Sequence, residues 1–197
     1  MPKIDNKQKV KLLNSKKIYT NDISIRLDKF ELNRKIVEKE IVEHAPSVGI
    51  IPVVDNYNII FVTQYRHSAG KTIIEIPAGK IEKDETPKRA ALREMAEEIG
   101  YTGRLIPLLQ WYLAPGYSTE IMHVFVATSL KKLKLKERGN LNDDENIIIK
   151  RMKLITAIKK CIDGEIKDCK TVAALLTYAK MLAFQDKTYQ SQSEWTG

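Results

Sequence analysis

The chain changes hydrophobic period along its length, and those changes outline its elements. Residues 18–27 and 35–42 alternate apolar and polar side chains, the period of half-buried strands. Residues 48–54 (VGIIPVV) and 59–64 (IIFVTQ) are β-branched runs separated by Asp55-Asn56-Tyr57-Asn58. That separator has turn chemistry, so the two runs are expected to pair as a hairpin. Another short strand over 72–76 is stopped by Pro77. The period then becomes helical. Leu92, Met95, Ala96 and Ile99 form one apolar face, Thr86 can cap its start, Pro87 suits the first helical position and Gly100 the stop. Strand patterns return near 105–112, 121–128 and 147–152, and two helices follow over 154–162 and 170–184. The pattern predicts a mixed sheet with few helices, and a loose polar tail after Gln185.

Composition narrows the class. At 197 residues the chain fits one domain, or one with a small appended subdomain. Its 43% hydrophobic and 29% charged residues can bury a real core. No apolar run approaches the roughly 20 residues that span a bilayer. Residues 1–11 lack the apolar stretch of a secretory signal, so a cytoplasmic protein is expected. Cys161 and Cys169 make no CxxC, and His44, His67 and His123 are dispersed, so no zinc spacing exists. The formal charge of +8 comes from lysines spread along the chain; the densest cluster, 131–138, alternates with leucine. Such lysines are solvated or attract a phosphorylated substrate. A nucleic-acid partner is not expected, since no recognition helix or aromatic RNA-binding motif appears.

The helix with the apolar face also carries Glu94, Glu97 and Glu98, at relative positions i, i+3 and i+4. Side chains so spaced lie roughly 5–6 Å apart. Taken alone, this is an ordinary solvated acidic face. Like charges at i,i+4 nevertheless oppose a helix by roughly 0.2–0.5 kcal/mol, and Arg93 is the cation placed to relieve them. A hard divalent cation would turn that repulsion into coordination. From Gly79 the chain reads GKIEKDETPKRAALREMAEEIGY, or G-x5-E-x7-R-E-U-x-E-E-x-G-U with U apolar or aromatic. This pattern resembles the Nudix box. Gly79, Glu85, Arg93, Glu94, Glu97, Glu98 and Gly100 fill its fixed positions, with Met95 and Tyr101 at U. Chance gives such a match on the order of 10⁻⁸ per start site at typical residue frequencies.

The resemblance implies an α+β fold: a Nudix α/β/α sandwich around a mixed sheet, with a small N-terminal antiparallel sheet. Residues 1–45 would form that β subdomain, 46–185 the hydrolase domain and 186–197 a polar tail. It implies that Glu94, Glu97 and Glu98, with the carbonyl of Ala78, hold Mg²⁺ or Mn²⁺. Water then attacks phosphorus, helped by Arg93 and Glu97. Glu85 would pair with Arg93, while Gly79 and Gly100 shape the turns. The flanks read Gln64-Tyr65-Arg66, IEIPAGK over 74–80, LAPGYSTE over 113–120 and GEIKDCKT over 164–171. They resemble the ADP-ribose pyrophosphatase branch, of which Pro115 is a marker; Ala114 departs from the serine common there.

That branch implies hydrolysis of ADP-ribose to AMP and ribose 5-phosphate. Arg66 would contact phosphate or ribose, and Glu120 the terminal ribose, with Gly116 giving the backbone room. Glu145 would be the general base, with Asp143 and Asp144 as alternatives. A homodimer is implied through the N-terminal strands, where Tyr19 or Phe30 either stacks on adenine or packs in a core. Other nucleoside diphosphate sugars, such as GDP-mannose or ADP-glucose, are the alternative substrates. A non-catalytic nucleotide- or RNA-binding Nudix domain is the alternative class, and such domains usually lose box glutamates that are all present here.

Overall fold

The computed structural model describes residues 10–21, 23–55, 57–134, 137 and 147–193, with side chains as far as 184. The chain divides into two compact units: Met1–Pro46 with Tyr112–Ile121, and Ser47–Trp111 with Met122–Gly197.

The first unit is an antiparallel meander of β1 (Val10–Thr20), β2 (Ser24–Leu32) and β3 (Lys35–Glu43). Residues 18–27 are therefore not one strand. The chain reverses at Asn21, whose N–H donates to the Ile23 carbonyl at 3.0 Å. Local asparagine turn chemistry overrides the alternation on either side of it. β1 is exposed along its whole length, so it buries no face and leaves little period to read. The second reversal uses Asn33 and Arg34, both with positive φ (52° and 64°), as a tight two-residue hairpin requires. At the end of β3, the Val42 N–H donates to the Tyr117 carbonyl (2.8 Å), and the Val42 carbonyl accepts from Thr119 (3.0 Å). These bonds tie the 112–121 segment into this unit.

The second unit contains β4 (Ser47–Pro52), β5 (Asn58–Arg66), β6 (Lys71–Glu75), β7 (Ala78–Lys80), β8 (Tyr101–Tyr112), β9 (Ile121–Lys132) and β10 (Ile148–Lys153). They make two sheets, ordered β10-β5-β6 and β7-β4-β9-β8. The predicted hairpin between β4 and β5 shrinks to a single bridge, Val53 to Ile59. Beyond it the strands part. β4 pairs antiparallel with β7 and parallel with β9, while β5 pairs with β6 and β10. The cause is burial: all of β4 and the middle of β5 are buried on both faces. A strand with two apolar faces belongs at the centre of its own sheet, covered on both sides.

Helix α1 (Pro87–Glu94) and helix α3 (Cys169–Ser193) both contact β4, and α2 (Leu154–Ile162) packs on α3. This is the α/β/α arrangement with a mixed sheet. Val48 and Ile50 of β4, Ile60 and Val62 of β5, and Ala90 and Ala91 of α1 share one core with Met95, Ile99 and Phe125. Each large side chain buried there contributes about 1.5–3 kcal/mol. That core anchors α1 against the charge it carries on its other face. The last helix runs to Ser193 rather than ending at Phe184, because no glycine or proline interrupts 185–193. Among the described residues, no helix is long and apolar enough to cross a membrane.

Candidate active site

Helix α1 starts as its sequence dictates: the Thr86 side chain accepts from the Arg89 N–H at 3.3 Å, and Pro87 opens the first turn. Its end is different from the simple helical period. Regular α geometry stops at Glu94, and Met95–Ile99 form a π turn before Gly100 adopts left-handed φ 70°, ψ 36°. Such wide turns recur at functional sites, and this one contains Glu97 and Glu98. Burial then decides against a solvated acidic face. Glu94 is 9% exposed and Glu98 5%, beside fully buried Met95.

Strand β7 lies against these carboxylates. Gly79 pairs with Val48 of β4 and has no positive φ, so its need for glycine is not the tight loop expected from sequence. A Cβ there would stand 1.9 Å from Oε1 of Glu94 and 2.0 Å from its Cδ. Close approach of the carboxylate is what requires glycine. The neighbouring Ala78 N–H donates to Oε2 of Glu98 at 3.1 Å.

Arg93 is the hub of the cluster. Its Nε and Nη2 donate to the two oxygens of Glu85 (3.1 and 3.0 Å), and Nη1 donates to Glu94 (2.8 Å) and Glu97 (3.1 Å). Nη2 also donates to the Lys80 carbonyl at 2.9 Å, which ties the helix to the end of β7. The hydrogen bond from Arg93 holds the Glu85 carboxyl below the usual carboxylate range, against the opposing effect of burial. In return the Glu85 bond raises the Arg93 pKa, with Glu94 adding to it. Three carboxylates thus accept hydrogen bonds from one guanidinium, with a fourth, Glu82, 4.0 Å from its Nε.

Among the described residues, no three acidic or imidazole side chains converge as an assembled cation cage. Arg93 bridges Glu94 and Glu97 instead. The donor chemistry still fits a divalent cation. Glu94 and Glu98 are hard oxygen donors, largely withdrawn from water, and Gly79 lets the Glu94 carboxylate lie against β7.

Arg66, at the end of β5, belongs to a second charged group in the same unit. Its Nε and Nη2 donate to Oε1 and Oε2 of Glu75 at 2.8 and 2.7 Å. Lys170 also donates to Glu75 Oε2, and pairs with Asp168 at 2.9 Å. Burial alone pushes the Glu75 carboxyl up, but Arg66 and Lys170 outweigh it and hold it below its ordinary value. Asp168 precedes α3 and accepts the Thr171 N–H (3.0 Å) as a helix cap does, while the Thr171 hydroxyl oxygen accepts the Ile76 N–H (2.8 Å). Two residues further on stands Ala78, the partner of Glu98. Glu75, Asp168, Lys170 and Thr171 were not singled out from sequence. The available signals were a glutamate between Ile74 and Ile76, and an Asp three positions before a threonine at a helix start.

The structure brings Ala78, Gly79, Glu85, Arg93, Glu94, Glu97, Glu98 and Gly100 together in the second unit. The hydrogen bonds of Arg66 go to Glu75, which raises its pKa. Glu120 and Gly116 belong to the first unit. There Glu120 lies 3.6 Å from Nδ1 of His44, and a Cβ on Gly116 would meet nothing within 4 Å. Tyr19 is 51% exposed on β1, so it packs in no core. Glu145, Asp143 and Asp144 lie outside the described residues. Both cysteines are free thiols.

Comparison with known proteins follows the same lines. The NUDIX domain family model matches residues 43–161. An ADP-ribose pyrophosphatase of Bacillus subtilis (strain 168) is 38% identical over 159 residues, 80% of this chain and 82% of its own length. A methanol dehydrogenase activator of Bacillus methanolicus is 36% identical over 173 residues, 84% of this chain and 92% of its own. A solved ADP compounds hydrolase shares the fold, with TM-score 0.79 and 23% identity over 90% of this chain and 96% of its own.

Proposed function

The chain belongs to the NUDIX family, and from that membership we propose that it hydrolyses the pyrophosphate bond of a nucleoside diphosphate sugar. The first substrate is ADP-ribose, cleaved to AMP and ribose 5-phosphate. The observation that carries this reading is the burial of Glu94 and Glu98 beside Gly79 and Ala78, within an intact box.

Glu94, Glu97 and Glu98, with the Ala78 carbonyl, are the residues that would hold a divalent cation, Mg²⁺ first and Mn²⁺ as its substitute. Bound there, the cation supplies Lewis-acid polarisation of phosphoryl oxygens and a more acidic water. Arg93 braces Glu94 and Glu97, and Glu85 braces Arg93. Arg66 is assigned to phosphate or ribose contacts with the substrate, the phosphates first, Glu120 to the terminal ribose, and Gly116 to an open backbone beside it. Glu145 is assigned the proton of the attacking water. Residues 46–185 are assigned to the hydrolase domain, and the strands of residues 1–45, with β1 exposed throughout, to a homodimer in the cytoplasm.

The test is a panel of ADP-ribose, ADP-glucose and GDP-mannose with Mg²⁺, following release of AMP or GMP. ADP-ribose is expected to show the highest kcat/KM. Slower turnover of ADP-ribose than of every other sugar nucleotide overturns the substrate assignment. Turnover of none of them, by a folded protein, overturns the proposed function.

A further inference from the structure

We infer that Glu75 is a positioning residue for Arg66: by gripping Nε and Nη2 it fixes the guanidinium plane and leaves the Nη1 edge for a diphosphate. The inference rests on the assignment of Arg66 to the substrate phosphates made above. Its starting point is burial. Glu75 is 1% exposed while the Arg66 side chain is 40% exposed, so one end of the pair is set in the core and the other opens outward. A charge is kept in such a place only when it is paired.

The register shows why Arg66 needs an anchor. Val62 opposes Glu75 and Arg66 opposes Lys71 in the β5–β6 ladder, so the guanidinium lies back along the sheet to reach the carboxylate. An arginine left to itself spreads over many rotamers, and ordering it at binding weakens the complex. The two-point bond to Glu75 selects one rotamer before any ligand arrives.

Glu75 is itself fixed from a second direction. Lys170 grips its Oε2 from the start of α3, and Asp168 holds Lys170. The carboxylate is therefore an anchor whose orientation does not depend on Arg66. Among the described residues, Nη1 of Arg66 donates to no protein acceptor, and β5, which ends on Arg66, packs against the π turn that carries Glu97 and Glu98. Glu75 itself lies three residues before Ala78, whose N–H donates to Glu98, so the anchored arginine belongs to the strand pair that leads to the acidic helix, where a diphosphate would lie.

A double-mutant cycle separates this role from a merely structural one. ADP is the probe, with Ca²⁺ present, and its Kd is measured by calorimetry for wild type, Glu75→Gln, Arg66→Ala and the double variant. Each single change is expected to weaken ADP by about 10-fold or more, as loss of a charge-assisted contact does. The double variant should bind no more weakly than Arg66→Ala, because Glu75 acts only through Arg66. Multiplying losses, an unaffected Glu75→Gln protein, or no ADP binding by wild type would each overturn the inference. Arg66→Lys serves if Glu75→Gln does not fold. It keeps the charge but not the fork, and should be within about 3-fold of Arg66→Ala; wild-type affinity there also overturns the inference. AMP release by wild type tests the proposed function separately. A protein that shows this coupling but cleaves no sugar nucleotide refutes the function and supports the positioning.

Discussion

Replacing Gly79 by alanine should damage chemistry far more than folding. The new Cβ would stand 1.9 Å from Oε1 of Glu94, 2.0 Å from Cδ and 2.4 Å from Oε2. Ordinary contact between such atoms needs about 3.5 Å, so the carboxylate must retreat by more than about 1 Å. It can do so because it is the far end of a flexible side chain. An off-rotamer glutamate costs about 0.5–1.5 kcal/mol and a lost charge-assisted bond about 1.5–3 kcal/mol, so Tm should fall by roughly 4–18 °C at about 2–4 °C per kcal/mol. The retreat breaks the 2.8 Å bond from Arg93 and moves one of the two buried carboxylates. A misplacement of about 1 Å at a reacting centre can cost on the order of 10²-fold in rate. The assay is AMP release from ADP-ribose together with a thermal melt. A variant within about 3-fold of wild-type kcat refutes the steric explanation of Gly79, and one that fails to fold refutes the retreat of the Glu94 carboxylate.

Three further changes probe other parts of the framework. Gly100→Ala should lower stability by about 1–2 kcal/mol in a thermal melt, because φ there is 70° and an alanine is strained in that region; an unchanged Tm would contradict it. Thr171→Val removes the buried oxygen that accepts the Ile76 N–H, at a cost of about 1–3 kcal/mol in urea denaturation. Thr171→Ser should recover most of it, and failure to do so would assign the loss to packing. The bond from Arg93 depresses the Glu85 pKa, and a depressed folded pKa adds stability that is complete above the unfolded value of about 4.3. That stability disappears as pH falls through the folded value. The stability gap between wild type and Glu85→Gln should therefore be widest at neutral pH and narrow below about pH 4; a gap constant with pH excludes the ion pair as its source.

Elements were legible in the sequence wherever the signal was local. Thr86, Pro87 and Gly100 mark the ends of the acidic helix, and all three act at those ends in the structure. The π turn was not legible, since Met95 and Ile99 are buried on one face whether the last turn is α or π. Strand pairing failed for a related reason. β4 and β5 have two apolar faces each, so the sequence holds no mark of which partner each strand takes. The turn at Asn21 was hidden inside an alternating run that continues on both sides of it. The acidic cluster was legible because its residues are contiguous in the box. The pairing of Glu75 with Lys170 spans 95 positions, and only the fold brings those charges together.

On the proposed function, Glu94, which lies against Gly79, and Glu98 hold a divalent cation against a diphosphate. The most direct measurement is a Mn²⁺ titration by electron paramagnetic resonance, with ADP present, of wild type and Glu98→Gln. Wild type should take up the ion, and the folded variant should bind it at least about 10-fold more weakly, having lost one charged oxygen ligand. Equal uptake by both proteins would exclude Glu98 as a ligand and contradict the proposed metal site.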